Sequence, residues 1–234
     1  MSEKQTALGQ DRPSQGQGAT ERVRPVDVAR GAVTALDGLL LVDKDPGITS
    51  HDVVSRVRRL AATRKVGHAG TLDPMATGLL TVGVGKATRL LNYLVGADKT
   101  YEATIRLGVA TDTEDAHGQV TQVVAPGQVD LARLQAAAAQ LTGPISQVPS
   151  SFSAIKVNGV RAYDLARSGQ EVELEARQVT IHSFELGQVN STSVTYPGWG
   201  QVPVVDVKVQ VSCSSGTYIR ALARDFGLSL QTVA

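Results

Sequence analysis

The stretch from Lys65 to Leu80, KVGHAGTLDPMATGLL, concentrates residues that could do chemistry. It holds one histidine, His68, an Asp73-Pro74 pair and three glycines. A carboxylate is charged at neutral pH and can attack or stabilise an electrophilic carbon without a separate base. Pro74 disfavours the helical region for the residue before it, so Asp73 is expected on an extended backbone. A stiff loop just ahead of a strand would then hold the carboxylate outward, the placement in which catalytic groups concentrate. An Asp-Pro pair is equally an ordinary turn opener, and local chemistry alone leaves both readings open.

The elements on either side must position that loop. Gly38 to Asp43 is a continuous apolar run, expected as a buried strand, and Asp45-Pro46-Gly47 as a turn. Thr49 is expected to cap a helix, with Asp52 three residues on and an apolar stripe of Val53, Val54, Val57, Leu60 and Ala61. Residues 64–78 read as a loop and Leu79 to Val84 as a strand. Ala87 to Val95 reads as a short helix with Leu90, Leu91, Leu94 and Val95 inward. Tyr101, Ala103, Ile105 and Leu107 alternate with polar residues, the mark of a half-buried strand. Asp130 is expected to cap a helix bearing Leu131, Leu134, Ala138 and Leu141, stopped by Gly143-Pro144, and Asn158-Gly159 is a turn signal. Residues 190–201 read as an exposed loop in which Trp199 has no assigned role. Val205 to Cys213 alternate strictly, and Thr217 is expected to cap a last helix with Ile219, Leu222, Ala223 and Phe226 inward. The irregular alternation of strands and helices predicts an α+β fold. Its centre would be a mixed, largely antiparallel sheet with flanking helices.

Composition narrows the class. Residues 1–36 carry few apolar groups and are expected to form a disordered polar tail, with one folded domain over 37–234. Cys213 is the sole cysteine, which excludes a disulfide framework and a thiolate metal cluster. No apolar run approaches the length of a membrane span, and the first residues lack the apolar core of a signal peptide. A soluble cytoplasmic protein is expected. The chain nets only +1, yet Lys44 to Lys99 holds nine Lys/Arg against four Asp. A polyanion would prefer that region, although a solvated basic face explains it as well.

Beyond the local chemistry, the loop resembles the signature of TruB-type pseudouridine synthases, whose core reads Gly-His-x-Gly-x-Leu-Asp-Pro-x-Ala-x-Gly. The matching residues run from Gly67 to Gly78. Four further blocks resemble the family in order. They are Gly38 to Lys44 with Gly47 and Thr49-Ser50; Lys99 to Glu102 with Gly108 and Thr111 to Asp115; Pro149 to Gly169; and Ser214 to Arg220. Together with the loop they extend over residues 38–228. The resemblance implies a pseudouridine synthase fold with an RNA-clasping insertion. It implies isomerisation of one uridine in the T-loop of tRNA, with tRNA as partner and a monomer as the working form.

That reaction breaks the bond between C1′ and N1, turns the base and rejoins it through C5, so the resemblance calls for no cofactor and no metal. It implies Asp73 as the nucleophile, paired with Arg220, which fixes its rotamer. It puts Tyr101 under the flipped uracil, as a stacking platform and a candidate for taking the C5 proton. Tyr218 packs nearby, His68 contacts the opened T-loop, and Lys44 contacts a phosphate or the active site. Plainer roles stand beside these: a core tyrosine at Tyr101, a solvent-facing arginine at Arg220, a loop-capping histidine at His68. A non-catalytic tRNA-folding clamp is the alternative function. Guide-RNA-dependent relatives are expected to carry an additional RNA-binding domain. The chain departs from the family pattern in the shifted proline of Asp43-Lys-Asp-Pro-Gly47 and in Phe152, where tyrosine is commoner. Family members continue beyond the last helix, and Ala234 ends this sequence. One side of the cleft is therefore expected to be open and turnover to be poor.

Overall fold

The computed structural model describes residues 35–153, 155–157, 159–170 and 172–234. Most of the expected polar tail, and Asn158 of the expected turn, lie outside the described residues.

Three strands and one helix carry the Asp73 loop. β1 (Gly38–Lys44), β2 (Val66–His68) and β3 (Gly78–Val84) pair antiparallel in the order β1-β3-β2. α1 (Ser50–Leu60) starts where the sequence says it should. Thr49 Oγ1 accepts from the Asp52 amide at 3.1 Å and the Asp52 carboxylate accepts from the Thr49 amide at 2.9 Å, a complete capping box. Val53, Val54, Val57 and Ala61 pack on Val66, Leu80, Val82 and Val84. Leu60, expected in the stripe, is exposed instead.

The strand expected to be buried is not. Leu39, Leu40 and Leu41 of β1 are all exposed, Leu41 by 74%. β1 is an edge strand, and the core beside it takes in only Val42 from its run. A continuous apolar run suggests cover on both faces, and here the cover falls short. The expected helix over 87–95 is a 3₁₀ segment, Gly85–Leu90, running into α2 (Leu91–Val95). It buries Leu91 alone, against the bare faces of Gly67 and Gly83, while Leu90 and Val95 stay exposed.

The second sheet has four strands, β4 (Lys99–Leu107), β7 (Gly143–Gln147), β10 (Arg177–Tyr196) and β11 (Gly200–Cys213), ordered β4-β11-β10-β7. All its pairings are antiparallel. Its inner face, including Ile105, Leu107, Ile181, Val207, Val209 and Val211, packs on α3 (Leu131–Gln140) and α5 (Ile219–Ser229). Asp130 caps α3 as expected, accepting from the Arg133 amide at 2.8 Å. Thr217 does not cap α5. Its hydroxyl donates to the Ser214 carbonyl, and Tyr218 takes the cap position without a side-chain bond.

Residues 190–201 are not a loop. They continue β10 and β11 into a long hairpin whose last pair is Tyr196 with Gly200. Val194, Val202, Val204 and Tyr196 pack against β5 (Val109–Thr111) and β6 (Val120–Val123), a small hairpin of its own. Alternating Val and Thr with a Tyr-Pro-Gly-Trp tip is itself a hairpin pattern. β8 (Lys156–Val157) and β9 (Val160–Arg161) form a third hairpin, followed by α4 (Ala162–Arg167). The final residues fold back, with the Gly108 amide donating to the Val233 carbonyl at 2.7 Å and the Thr232 hydroxyl to the Val124 carbonyl at 2.6 Å.

Candidate active site

Asp73 lies between two pinned neighbours. The Leu72 amide donates to Ser50 Oγ at 2.9 Å, and that hydroxyl donates back to the Leu72 carbonyl at 3.2 Å. On the other side the Pro74 carbonyl accepts from the Gly47 amide at 2.8 Å and from Lys44 Nζ at 3.2 Å. The β1–α1 turn thus holds the loop from below. Gly47 takes a left-handed backbone in that turn, with φ of +82°, which glycine adopts without strain.

Lys44, expected to contact a phosphate or the active site, is 1% exposed, and its ammonium donates to the carbonyls of Asp45, Ile48 and Pro74 at 2.9, 2.8 and 3.2 Å, so the contact it makes is with the backbone beside Asp73. Burial lowers its affinity for a proton, while Asp45 and Asp73 oppose that change. Its three donors are spent on backbone, which makes it the fastener of the Asp73 loop.

Arg220, on the first turn of α5, meets Asp73 in a two-pronged pair, with Nε to Oδ2 at 2.9 Å and Nη2 to Oδ1 at 3.0 Å. Its other donors reach the Thr113 carbonyl at 2.8 Å, Ser150 Oγ at 3.2 Å and the Phe152 carbonyl at 3.0 Å. All five N–H groups of the guanidinium are used. The Arg220 side chain is 14% exposed and that of Asp73 41%. The arginine therefore grips the carboxylate from the protein side and leaves its other side open to a ligand.

Tyr101 is on β4, opposite Val211, and packs against the main core. Burial raises the affinity of its phenol for a proton, and Cys213 and the Asp73 carboxylate add to the rise. The phenol is thus neutral at physiological pH and shares the electrostatic field of Asp73. His68 ends β2, half-buried, with its Nδ1 against the Gly70 carbonyl. Tyr218 is fixed through its backbone by Gln147. The structure joins Asp73 to Arg220 by direct contact and sets Lys44 beneath their loop, and the Asp73 charge bears on the Tyr101 phenol.

Sequence reasoning missed Ser50, Thr113, Gln147 and Ser150. Ser50, Thr113 and Ser150 fall inside the matched blocks, but a group that serves through backbone bonding has no spacing of its own to reveal it. Ser150 and Gln147 are 0% and 1% exposed, and no periodicity marks them as buried. Among the described residues no group of three or more His, Cys, Asp or Glu is placed to hold a metal ion. No helix there is long and apolar enough to cross a membrane.

A model described as the TruB family pseudouridylate synthase, N-terminal domain, matches residues 58–219. The chain is 60% identical over 195 residues to the tRNA pseudouridine synthase B of Paenarthrobacter aurescens strain TC1, covering 83% of this chain and 60% of the relative. It is 56% identical over 197 residues to that of Thermobifida fusca strain YX, covering 83% and 64%. The chain thus spans about 60% of the length of the curated relatives it matches. Among solved structures, one chain of a Cbf5–Nop10–Gar1 complex superposes with a TM-score of 0.58 at 28% identity. The match covers 84% of this chain and 45% of that one.

Proposed function

The chain belongs to the TruB family of pseudouridylate synthases, and on that premise we propose that it isomerises one uridine in the T-loop of tRNA to pseudouridine. In this reading residues 37–234 form the catalytic domain, working as a cytoplasmic monomer on the T stem-loop. The observation that carries it is the Asp73–Arg220 pair: an aspartate on the family's signature loop, held two-pronged from behind and open in front. The fastening of residues on both sides of Asp73 supports the same reading, because a nucleophile must be held within a fraction of an ångström of its target.

The chemistry balances within the substrate. The C1′–N1 bond breaks, the uracil turns, a C1′–C5 bond forms, C5 loses a proton and N1 gains one. Asp73 supplies the carboxylate that supports the sugar carbon while the base is detached. The target must leave its stack at a cost of a few kcal/mol. The ring of Tyr101 offers a replacement surface worth about 1–3 kcal/mol. His68 is assigned to the opened T-loop and Tyr218 to packing beside the base. The curated relatives that match at 56–60% identity are named tRNA pseudouridine synthase B, which favours a tRNA substrate over the complex-bound role of the 28% neighbour.

The test is incubation with an unmodified tRNA transcript followed by chemical mapping of pseudouridine. One T-loop uridine is expected to be modified by the protein and none by Asp73→Asn, with tRNA affinity changed by no more than a few-fold. An unmodified transcript, or substantial turnover by the Asn variant, rejects the proposal.

A further inference from the structure

Arg220 and Arg224 stand four residues apart on α5 and so share one side of the helix. They grip consecutive residues of the turn that joins β5 to β6. Arg220 Nη1 donates to the Thr113 carbonyl at 2.8 Å, and Arg224 Nη1 donates to Glu114 Oε1 at 2.8 Å. Of the two, Arg220 alone reaches Asp73. Glu114 has a φ of +56°, a left-handed conformation that a non-glycine residue keeps only where its surroundings enforce it. Its Oε2 is buried without a hydrogen-bond partner among the described residues. Arg224 is itself anchored, to Asp225 Oδ1 at 3.0 Å and to the Val148 carbonyl at 2.8 Å. Burial works against its charge, and Glu114 and Asp225 more than offset that, so Arg224 is a permanent cation here.

The rest of the turn is closed on itself. Thr111 Oγ1 donates to the Asp115 carbonyl at 2.8 Å, and the Asp115 carboxylate accepts from Thr113 Oγ1 and the His117 amide at 2.7 and 2.9 Å. The turn is therefore a rigid piece and, among the described residues, its one side chain bonded to α5 is Glu114, through Arg224. That tether links the rigid turn, which carries the Thr113 carbonyl, to the helix that carries Arg220. A displaced carbonyl would leave one of the five Arg220 donors unmatched and free the guanidinium plane to tilt, and the Asp73 carboxylate is bound to that plane.

We propose that Glu114 and Arg224 are positioning residues for Asp73, acting through the Thr113 carbonyl and the Arg220 guanidinium. Neither touches the reacting atoms. The kinetic consequence rests on the proposed isomerase activity, but the geometric one does not, and two measurements separate them.

The first is the exchange rate of the Arg220 Nε–H proton with water, followed by NMR in the free protein and assigned with Arg220→Lys. It is expected to be slow in the native protein, several-fold faster in Glu114→Ala, and near native in Glu114→Gln, whose amide oxygen can still accept from Arg224. The second is single-turnover isomerisation of a tRNA transcript. Glu114→Ala is expected to slow the step at saturating protein by about ten-fold or more, since sub-ångström misplacement carries penalties of that order. The tRNA dissociation constant should stay within two-fold, and Glu114→Gln should recover most of the rate. Should Glu114→Ala fail to fold, Glu114→Gln against Arg224→Lys weakens the same pair from either end and gives the same comparison. An Nε–H exchange rate indifferent to Glu114, or a loss confined to affinity or melting temperature, overturns the positioning role. Native protein that leaves uridine intact while Nε–H exchange responds as expected rejects the isomerase reading and upholds the tether.

Discussion

Gln147 holds both faces of one residue's backbone: the Tyr218 amide donates to its Oε1 at 2.9 Å, and its Nε2 donates to the Tyr218 carbonyl at 3.2 Å. Tyr218 is the cap of α5 and lacks a side-chain cap of its own. The end of β7 therefore fixes where α5 begins, and Arg220 follows two residues later.

Replacing Gln147 with leucine roughly keeps the volume and takes the partner from the Tyr218 amide, while the Tyr218 carbonyl still accepts from the Leu222 amide at 3.0 Å. An unpaired buried polar group costs about 1–3 kcal/mol. Gln147→Leu is expected to lower unfolding free energy by about 1–3 kcal/mol in a urea titration. A midpoint unchanged in the leucine variant would show that the bracket is idle.

Tyr101 is expected to act first through its ring. Tyr101→Leu should slow isomerisation by roughly the 1–3 kcal/mol of a stacking surface taken away, and Tyr101→Phe should fall between it and the native protein. Equal, native-like rates for both would remove Tyr101 from the site. In alkaline titration the phenol should ionise above its ordinary range because of burial, Cys213 and Asp73. Asp73→Asn removes one of those causes and should bring it partway down.

Asp52 carries a pH dependence whose sign is fixed. The Thr49 hydroxyl is the main cause that holds its carboxyl below the ordinary aspartate range, against the opposing effect of burial. A carboxylate depressed in the folded state stabilises above its unfolded pKa, and that contribution fades as pH falls through the lower, folded one. Asp52→Ala should be less stable by about 1 kcal/mol at neutral pH, as for other missing caps. The gap should narrow as the medium is acidified below the ordinary aspartate pKa of about 3.9. A gap independent of pH would detach the stabilisation from the carboxylate's charge.

The exposed basic residues Arg56, Arg59, Arg64, Lys65, Lys86 and Arg89 lie on and around the three-stranded sheet and α1. If they meet phosphates, RNA affinity should fall steeply with salt. Each Arg→Ala change that takes away a phosphate partner should then reduce the logarithmic slope by about 1. A flat response would mark them as a solvated face.

Much of the α+β frame was legible in the sequence because capping boxes and period-two alternation are local signals. Thr49 with Asp52, Asp130, and Val205 to Cys213 needed nothing distant to be read correctly. Burial was harder, because it depends on what arrives from elsewhere. The Leu39 to Leu41 run reads as core, yet its strand is an edge with incomplete cover. Within the site, the resemblance anticipated the Asp73–Arg220 pair, which joins residues 147 positions apart. It did not anticipate that Lys44 would spend its charge on three carbonyls, nor that Gln147 would read a peptide rather than a side chain. Groups that recognise backbone leave no complementary residue type to look for.

The long β10–β11 hairpin has an optical consequence. Trp199 is the chain's only tryptophan, and it sits 45% exposed at the tip, its amide bonded to the Tyr196 carbonyl. β11 runs 14 residues from there to Cys213, a path of roughly 40 Å along an extended strand. Tryptophan emission from this protein is therefore a signal from the hairpin tip. It should shift when the arm unzips or meets a partner, and stay constant while a base enters or leaves the cleft at Asp73. A fluorescence titration with RNA that shows no change would describe the arm and say nothing about the cleft.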